Sequence, residues 1–159
     1  MNTNQTMVKM VFDRWHAAIK QFETALDSLS DEQLQHEIAL GRNRGIYLLG
    51  HLIAVHDDMI PILDFGNKLY PELYEPFIKS PDKTVAEIPS AAELRTKWST
   101  LNEALNQKFS HLQPEEWFQK HTSVSAEDFA KEPHRNKLNI IVTRTNHLWY
   151  HLGQFILIK

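Results

Sequence analysis

At 159 residues and 18.6 kDa the chain has the size of one domain over residues 1–159, and a chain this long can bury roughly 68–70% of its unfolded surface. It has no cysteine, which excludes a disulfide scaffold, a Cys-zinc finger, a cysteine nucleophile and a cysteine-ligated iron–sulfur cluster. A hydrophobic content of 42%, a charged content of 23% and a net charge of −3 describe a globular protein with no general basic surface, so nucleic acid is not expected as a partner. No apolar run approaches the ~20 residues of a membrane span. Met1-Asn2-Thr3-Asn4-Gln5 does not open a signal peptide, so a cytoplasmic protein without a membrane partner is expected.

Four segments carry helical periodicity. The first runs from about Thr6 to Leu29, with Val8, Val11, Phe12, Trp15, Ile19, Phe22, Leu26 and Leu29 on one stripe. Ser30-Asp31-Glu32 then reads as a stop and a new N-cap. The second runs from about Asn43 to Phe65, with two competing apolar stripes, and Pro61 should kink it or end its regular part. Residues from about Gly66 to Pro89 hold Pro71, Pro76, Pro81 and Pro89 and form a long crossover with a short helical turn near Leu73–Phe77. A connection of this length reads as a functional cover rather than a spacer.

The third helix opens on the capping box Ser90-Ala91-Ala92-Glu93 and carries Leu94, Trp98, Leu101, Leu105, Phe109 and Leu112 on one face, up to Pro114. A second irregular stretch follows from about Gln113 to Pro133, with a turn at Glu115-Glu116-Trp117. The fourth helix runs from about Arg135 to the chain end. Its main stripe is Leu138, Ile141, Thr145, Leu148, Leu152 and Phe155, but Ile140, Val142, Trp149, Ile156, Leu157 and Ile158 make it apolar nearly all round. That breadth suggests a subunit interface, hence a homodimer. Four amphipathic helices with two long connections give an all-α four-helix bundle.

The nine histidines are the unusual feature of the composition. His147 and His151 are spaced i, i+4, so both imidazoles share one face of the fourth helix and can reach one metal ion. Gln154 follows on that face, and Arg144 precedes it by a turn. The face is rotated from the Ile141/Leu148/Leu152 stripe and should line a cleft or the bundle mouth. A third ligand must come from another helix, and the second helix offers both His51 and His56. Periodicity does not choose between them. His16, His36, His111, His121 and His134 read as solvated or hydrogen-bonded side chains.

Tyr47-Leu48-Leu49-Gly50-His51-Leu52-Ile53-Ala54 and His147-Leu148-Trp149-Tyr150-His151-Leu152-Gly153-Gln154 resemble the two histidine signatures of the DinB/YfiT-like superfamily. The order of elements resembles it over essentially the whole chain. The resemblance implies a bundle, often dimeric, with three histidines holding a divalent metal. It carries His51, His147 and His151 over as ligands and makes His56 a core or rim residue. Some members act as thiol-dependent S-transferases with low-molecular-weight thiols; others are named as metal-dependent hydrolases.

Three neutral imidazoles would leave a divalent ion its full charge, able to acidify water or deprotonate a thiol. Zinc is the default metal because it fits an open tetrahedral His₃ site; three-histidine sites also accept nickel, iron and manganese, selected by geometry and availability. The expected substrate is a small molecule, with the thiol supplied from outside a cysteine-free chain. Gln154 would orient a ligand, or simply pack. Arg144 would meet an anionic substrate such as a thiol's carboxylate, or be a solvated charge. Asp58, with Asp57, would assist as base or behind the ligands, or be an exposed surface carboxylate. Arg42 and Arg44 would flank the bundle mouth or face water. Alternatives from other classes are a metal- or ligand-binding stress-response protein without chemistry, and a structural dimer module.

Overall fold

A computed structural model describes residues 1–158. Six α-helices follow one another: α1 (Thr3–Asp27), α2 (Gly45–Asp57), α3 (Met59–Ile62), α4 (Ala91–Ser110), α5 (Ala126–Lys131) and α6 (Lys137–Phe155). The four long ones, α1, α2, α4 and α6, form the bundle. The described residues contain no strand, only the isolated bridges Glu37–Arg44 and Lys120–Asn136.

Helix ends follow their local chemistry. Asn2 caps α1 in a capping box with Gln5, which starts the helix three residues before the apolar stripe suggests. Ser90 and Glu93 form the expected box at α4. The side chain of Asn136 accepts from the Asn139 amide and opens α6. Ser30 accepts from the Gln33 amide at the start of a 3₁₀ turn over Gln33–Gln35.

Two helix boundaries correct the reading of the sequence. The second helix does not continue from Asn43 to Phe65; α2 stops at Asp57 and α3 restarts at Met59. Proline has no N–H, so Pro61 cannot bond the carbonyl four residues back, at Asp57, where the break falls. The last helix ends at Phe155 rather than at the chain end. Ile158 beyond it folds back into the core, while Ile156 and Leu157 stay exposed.

Side-chain contacts give the helix directions. Along the α1–α6 seam, Met10, Val11 and Arg14 face Val142, Thr145 and Asn146, and Thr24, Ala25 and Ser28 face Leu152 and Ile156, so these helices are parallel. His56 meets Trp98, and Lys108 reaches the Phe65 carbonyl, so α2 and α4 are parallel too. Phe12 touches Phe109 and Phe22 touches Trp98, which sets α1 against α4. Gly45 lies against Ile158, which sets α2 against α6. The topology is therefore up-down-down-up, and the step from α2 to parallel α4 requires a long return.

That return runs back along α2 and is fastened to it at each level. Both carboxylate oxygens of Asp57 accept backbone N–H groups, from Leu69 and Tyr70, each at 2.8 Å. Tyr47 Oη donates to the Ser80 carbonyl at 2.9 Å. Asp82 accepts from the Arg44 backbone N–H at 2.8 Å and ion-pairs its guanidinium at 2.7 Å, capping the start of α2 with a borrowed carboxylate. Arg44 thus belongs to this fastening. Between those points lie a 3₁₀ turn at Pro71–Leu73 and one π-type turn at Glu75–Lys79, where the sequence suggested a short turn.

The core is built from the expected stripes. Trp15, Phe22 and Leu26 of α1, Leu49, Leu52 and Ile53 of α2, Leu94, Trp98, Leu101 and Leu105 of α4, and Ile141, Leu148 and Phe155 of α6 are all buried. Phe77 and Leu73 of the crossover and Trp117 of the second connection join them.

Candidate metal centre

Helix α2 presents His51 and helix α6 presents His147 and His151 to a common point. The Nε2 atom of His147 lies 3.2 Å from His51 Nε2 and 3.0 Å from His151 Nε2. One nitrogen from each of the three residues lies within 4.8 Å of the others, and this cluster can hold a metal ion.

The partners of the outer nitrogens fix which form each ring takes. His51 Nδ1 is 2.9 Å from the carbonyl oxygen of Phe77. A carbonyl only accepts, so Nδ1 carries the proton and Nε2 of the neutral ring is a bare lone pair. His151 Nδ1 is 2.8 Å from Gln154 Oε1, while Gln154 Nε2 donates to Tyr150 Oη at 3.2 Å. That second bond orients the amide, so His151 also donates through Nδ1 and turns a bare Nε2 inward. His147 has one proton at most to place between two lone pairs. Its own Nδ1 is buried without a partner.

Protonation does not resolve this crowding. Burial lowers the basicity of all three imidazoles, and His147 falls to about 4 because desolvation is reinforced by His151, His51 and the Arg144 charge. At neutral pH the centre is three uncharged nitrogens with more electron pairs than protons. A divalent cation is the species that satisfies such a donor set.

The local sequence explains the placement. His147 and His151 stand one helical turn apart on α6. His51 is held by the crossover, and Gly50 makes that possible: a Cβ there would run into the ring of buried Phe77. Without a side chain, Phe77 packs flat on α2 and its carbonyl reaches the next residue's imidazole. Phe77 as a backbone acceptor, Gly50 as the space for it and Tyr150 as the partner of Gln154 were not identified from the sequence. A glycine directly before the histidine was the only signal available for the first two.

The other expected residues are distributed as follows. Gln154 bonds His151 directly. Arg144 is on the same face, but it is half-buried and its Nε is wholly buried without a partner, so it is not a solvated charge. Asp58 contacts none of the three histidines; it ion-pairs with Lys68. Asp57 is not an exposed carboxylate: it is fully buried and holds the crossover, as described above. His56 is buried between Trp15 and Trp98, with ring centroids 4.9 Å and 5.2 Å away, and both its nitrogens lack hydrogen-bond partners. His16, His36, His111 and His134 are exposed, and His121 accepts from the Ser123 backbone N–H at 3.2 Å. No helix among the described residues is long and apolar enough to cross a membrane.

The chain was compared with known proteins. No curated protein sequence matches it. Among solved structures it is similar to that of a conserved protein from Enterococcus faecalis, with a TM-score of 0.63 and 16% sequence identity over 99% of this chain and 98% of the other. At that identity the likeness shows the fold. The family model of the DinB superfamily matches residues 14–155, which takes in α2, α4, α6, the second half of α1 and all three clustered histidines, and the chain belongs to the DinB superfamily.

Proposed function

We propose that this chain is a divalent-metal-dependent enzyme acting on a small molecule, with His51, His147 and His151 as the metal ligands and zinc as the first metal to test. The observation that carries the reading is the convergence of three Nε2 atoms, two of them committed as lone pairs by their Nδ1 partners. The reaction is thiol-dependent S-transfer or hydrolysis. A divalent ion held by three neutral nitrogens keeps its full charge and favours the anionic form of a thiol or water.

The protein's own contribution is positional. Phe77 and Gln154 keep the ligating rings in one tautomer and one orientation, which raises ligand basicity and limits rearrangement during a reaction cycle. The chain contains no cysteine, so a reacting thiol comes from the substrate side and no internal thiol competes for the ion. A homodimer through the α1–α6 face is part of the same proposal, supported by the exposed Met10, Val142, Trp149, Ile156 and Leu157.

The test is elemental analysis of protein purified without a histidine tag, followed by a screen of thiol–electrophile pairs. The expected result is near one equivalent of metal per chain, lost in His51→Ala, with turnover that follows the metal. No metal in either protein after incubation with zinc or nickel overturns the metal centre. Full metallation without turnover on any pair overturns S-transfer, and inertness towards ester and amide substrates as well overturns the enzyme and leaves a binding protein.

A further inference from the structure

We propose that Arg144 is the specificity-determining residue of this site and that it selects small molecules carrying a carboxylate; the inference rests on the reading of the histidine cluster as a metal centre. Arg144, His147 and His151 follow one another at i, i+3 and i+7 on α6, which puts the guanidinium on the histidine face.

This cation has no counter-charge of its own. Arg144 is half-buried, takes part in no ion pair or hydrogen bond among the described residues, and its Nε is buried and unsatisfied. Arginine does not discharge to relieve such a position. The carboxylate whose field reaches it is Asp58, and Asp58 is already ion-paired with Lys68. A divalent ion among the neighbouring imidazoles would add two further positive charges. The centre thus concentrates cationic charge without a protein anion.

Burying an unpaired charge is costly, and a cost of this kind persists where a ligand removes it. The guanidinium fork matches a carboxylate. Arg144 and His147 are about one turn apart along α6, roughly 5 Å. A substrate whose metal-directed atom and carboxylate are separated by a short chain would span them. Other site polar groups do not compete for this role: Gln154 is already committed to His151 and Tyr150.

The experiment uses the cobalt-loaded full-length protein and two probes that differ by the acid group, 3-mercaptopropionate and 2-mercaptoethanol. Binding is read from the visible spectrum of the cobalt ion, so turnover is not needed. The wild type is expected to bind the carboxylated thiol about tenfold more tightly or better. R144Q should keep its cobalt stoichiometry and lose that preference, and R144K should retain part of it. Equal affinity of the wild type for both probes, or an undiminished preference in R144Q, overturns the proposal. If the wild type takes up no cobalt, the metal reading fails, and the Nε–H resonance of Arg144 in metal-free protein decides the matter. A shift with 3-mercaptopropionate and not with 2-mercaptoethanol supports carboxylate selection; no shift overturns it.

Discussion

His51 and His56 share helix α2, and burial keeps both imidazoles neutral, yet their surroundings differ in kind. His51 has both nitrogens engaged, one with the Phe77 carbonyl and one with the histidine cluster. His56 has neither engaged and is enclosed by the rings of Trp15 and Trp98, with Asn102 nearby but not bonded to it. A histidine whose outer nitrogen is tied to an acceptor has its inner lone pair aimed; one packed only by aromatic faces is a space-filling group with an unpaid polar cost. The contrast explains why two histidines on one helix have such different capacities.

The largest expected effect separates the two directly. His51→Ala should abolish metal uptake, whereas His56→Phe should leave near one equivalent bound, measured by elemental analysis. Loss in both, with both variants folded, would erase the distinction.

The second effect is on pH dependence. Burial pushes His56 down to about 3 in the fold, against an ordinary value of 6.5 in the unfolded chain. The unfolded state therefore binds more protons between these values, and stability must fall as pH falls through that window. By pH 4 this group alone would cost about 3 kcal/mol. Denaturant unfolding of metal-free protein at pH 7 and pH 4 should show the loss, and His56→Phe should reduce it. An unchanged slope in that variant would assign the acid sensitivity elsewhere.

Gly50→Ala should follow in size, at about 1–3 kcal/mol of stability, because its methyl meets the buried Phe77 ring. Displacing Phe77 also withdraws the His51 acceptor, so metal affinity should drop with stability in a chelator competition. Gln154→Ala should weaken metal binding by about tenfold or more without a large change in melting temperature of the metal-free protein. The smallest effect is expected at Gly153, where a Cβ meets nothing within 4 Å. Gly153→Ala should stabilise the monomer by about 0.5–1 kcal/mol through helix propensity. If it also weakens self-association in light scattering, the exposed α1–α6 face is where copies meet.

Much of the bundle was legible because period and caps are local properties. The stripes of Trp15–Leu26, Leu94–Phe109 and Leu138–Phe155 are the core, and Ser90 and Glu93 start α4 as their spacing implies. His147 and His151 were legible for the same reason. The choice of His51 over His56 was not, since both lie on apolar stripes of one helix; the family resemblance made it, and the structure brings His51 to the pair. The break at Asp57 was displaced from Pro61 because a proline acts on the carbonyl one turn back. Asp57 was misjudged because its partners, the Leu69 and Tyr70 amides, are set by the path of the crossover. Nothing local announces a carboxylate that will hold a loop.

The meeting of α2 and α6 at the histidine cluster has a mechanical consequence. His51 and His147 are 96 positions apart in the chain, and their contact closes most of the bundle into one circuit. In a protein without cysteine, an ion at that junction would be a removable crosslink, restricting the unfolded chain much as a disulfide does while responding to chelators instead of reductants. Its hold on the fold would grow with free metal concentration. Metal supply would then set how long the helices stay assembled as well as whether the centre is filled.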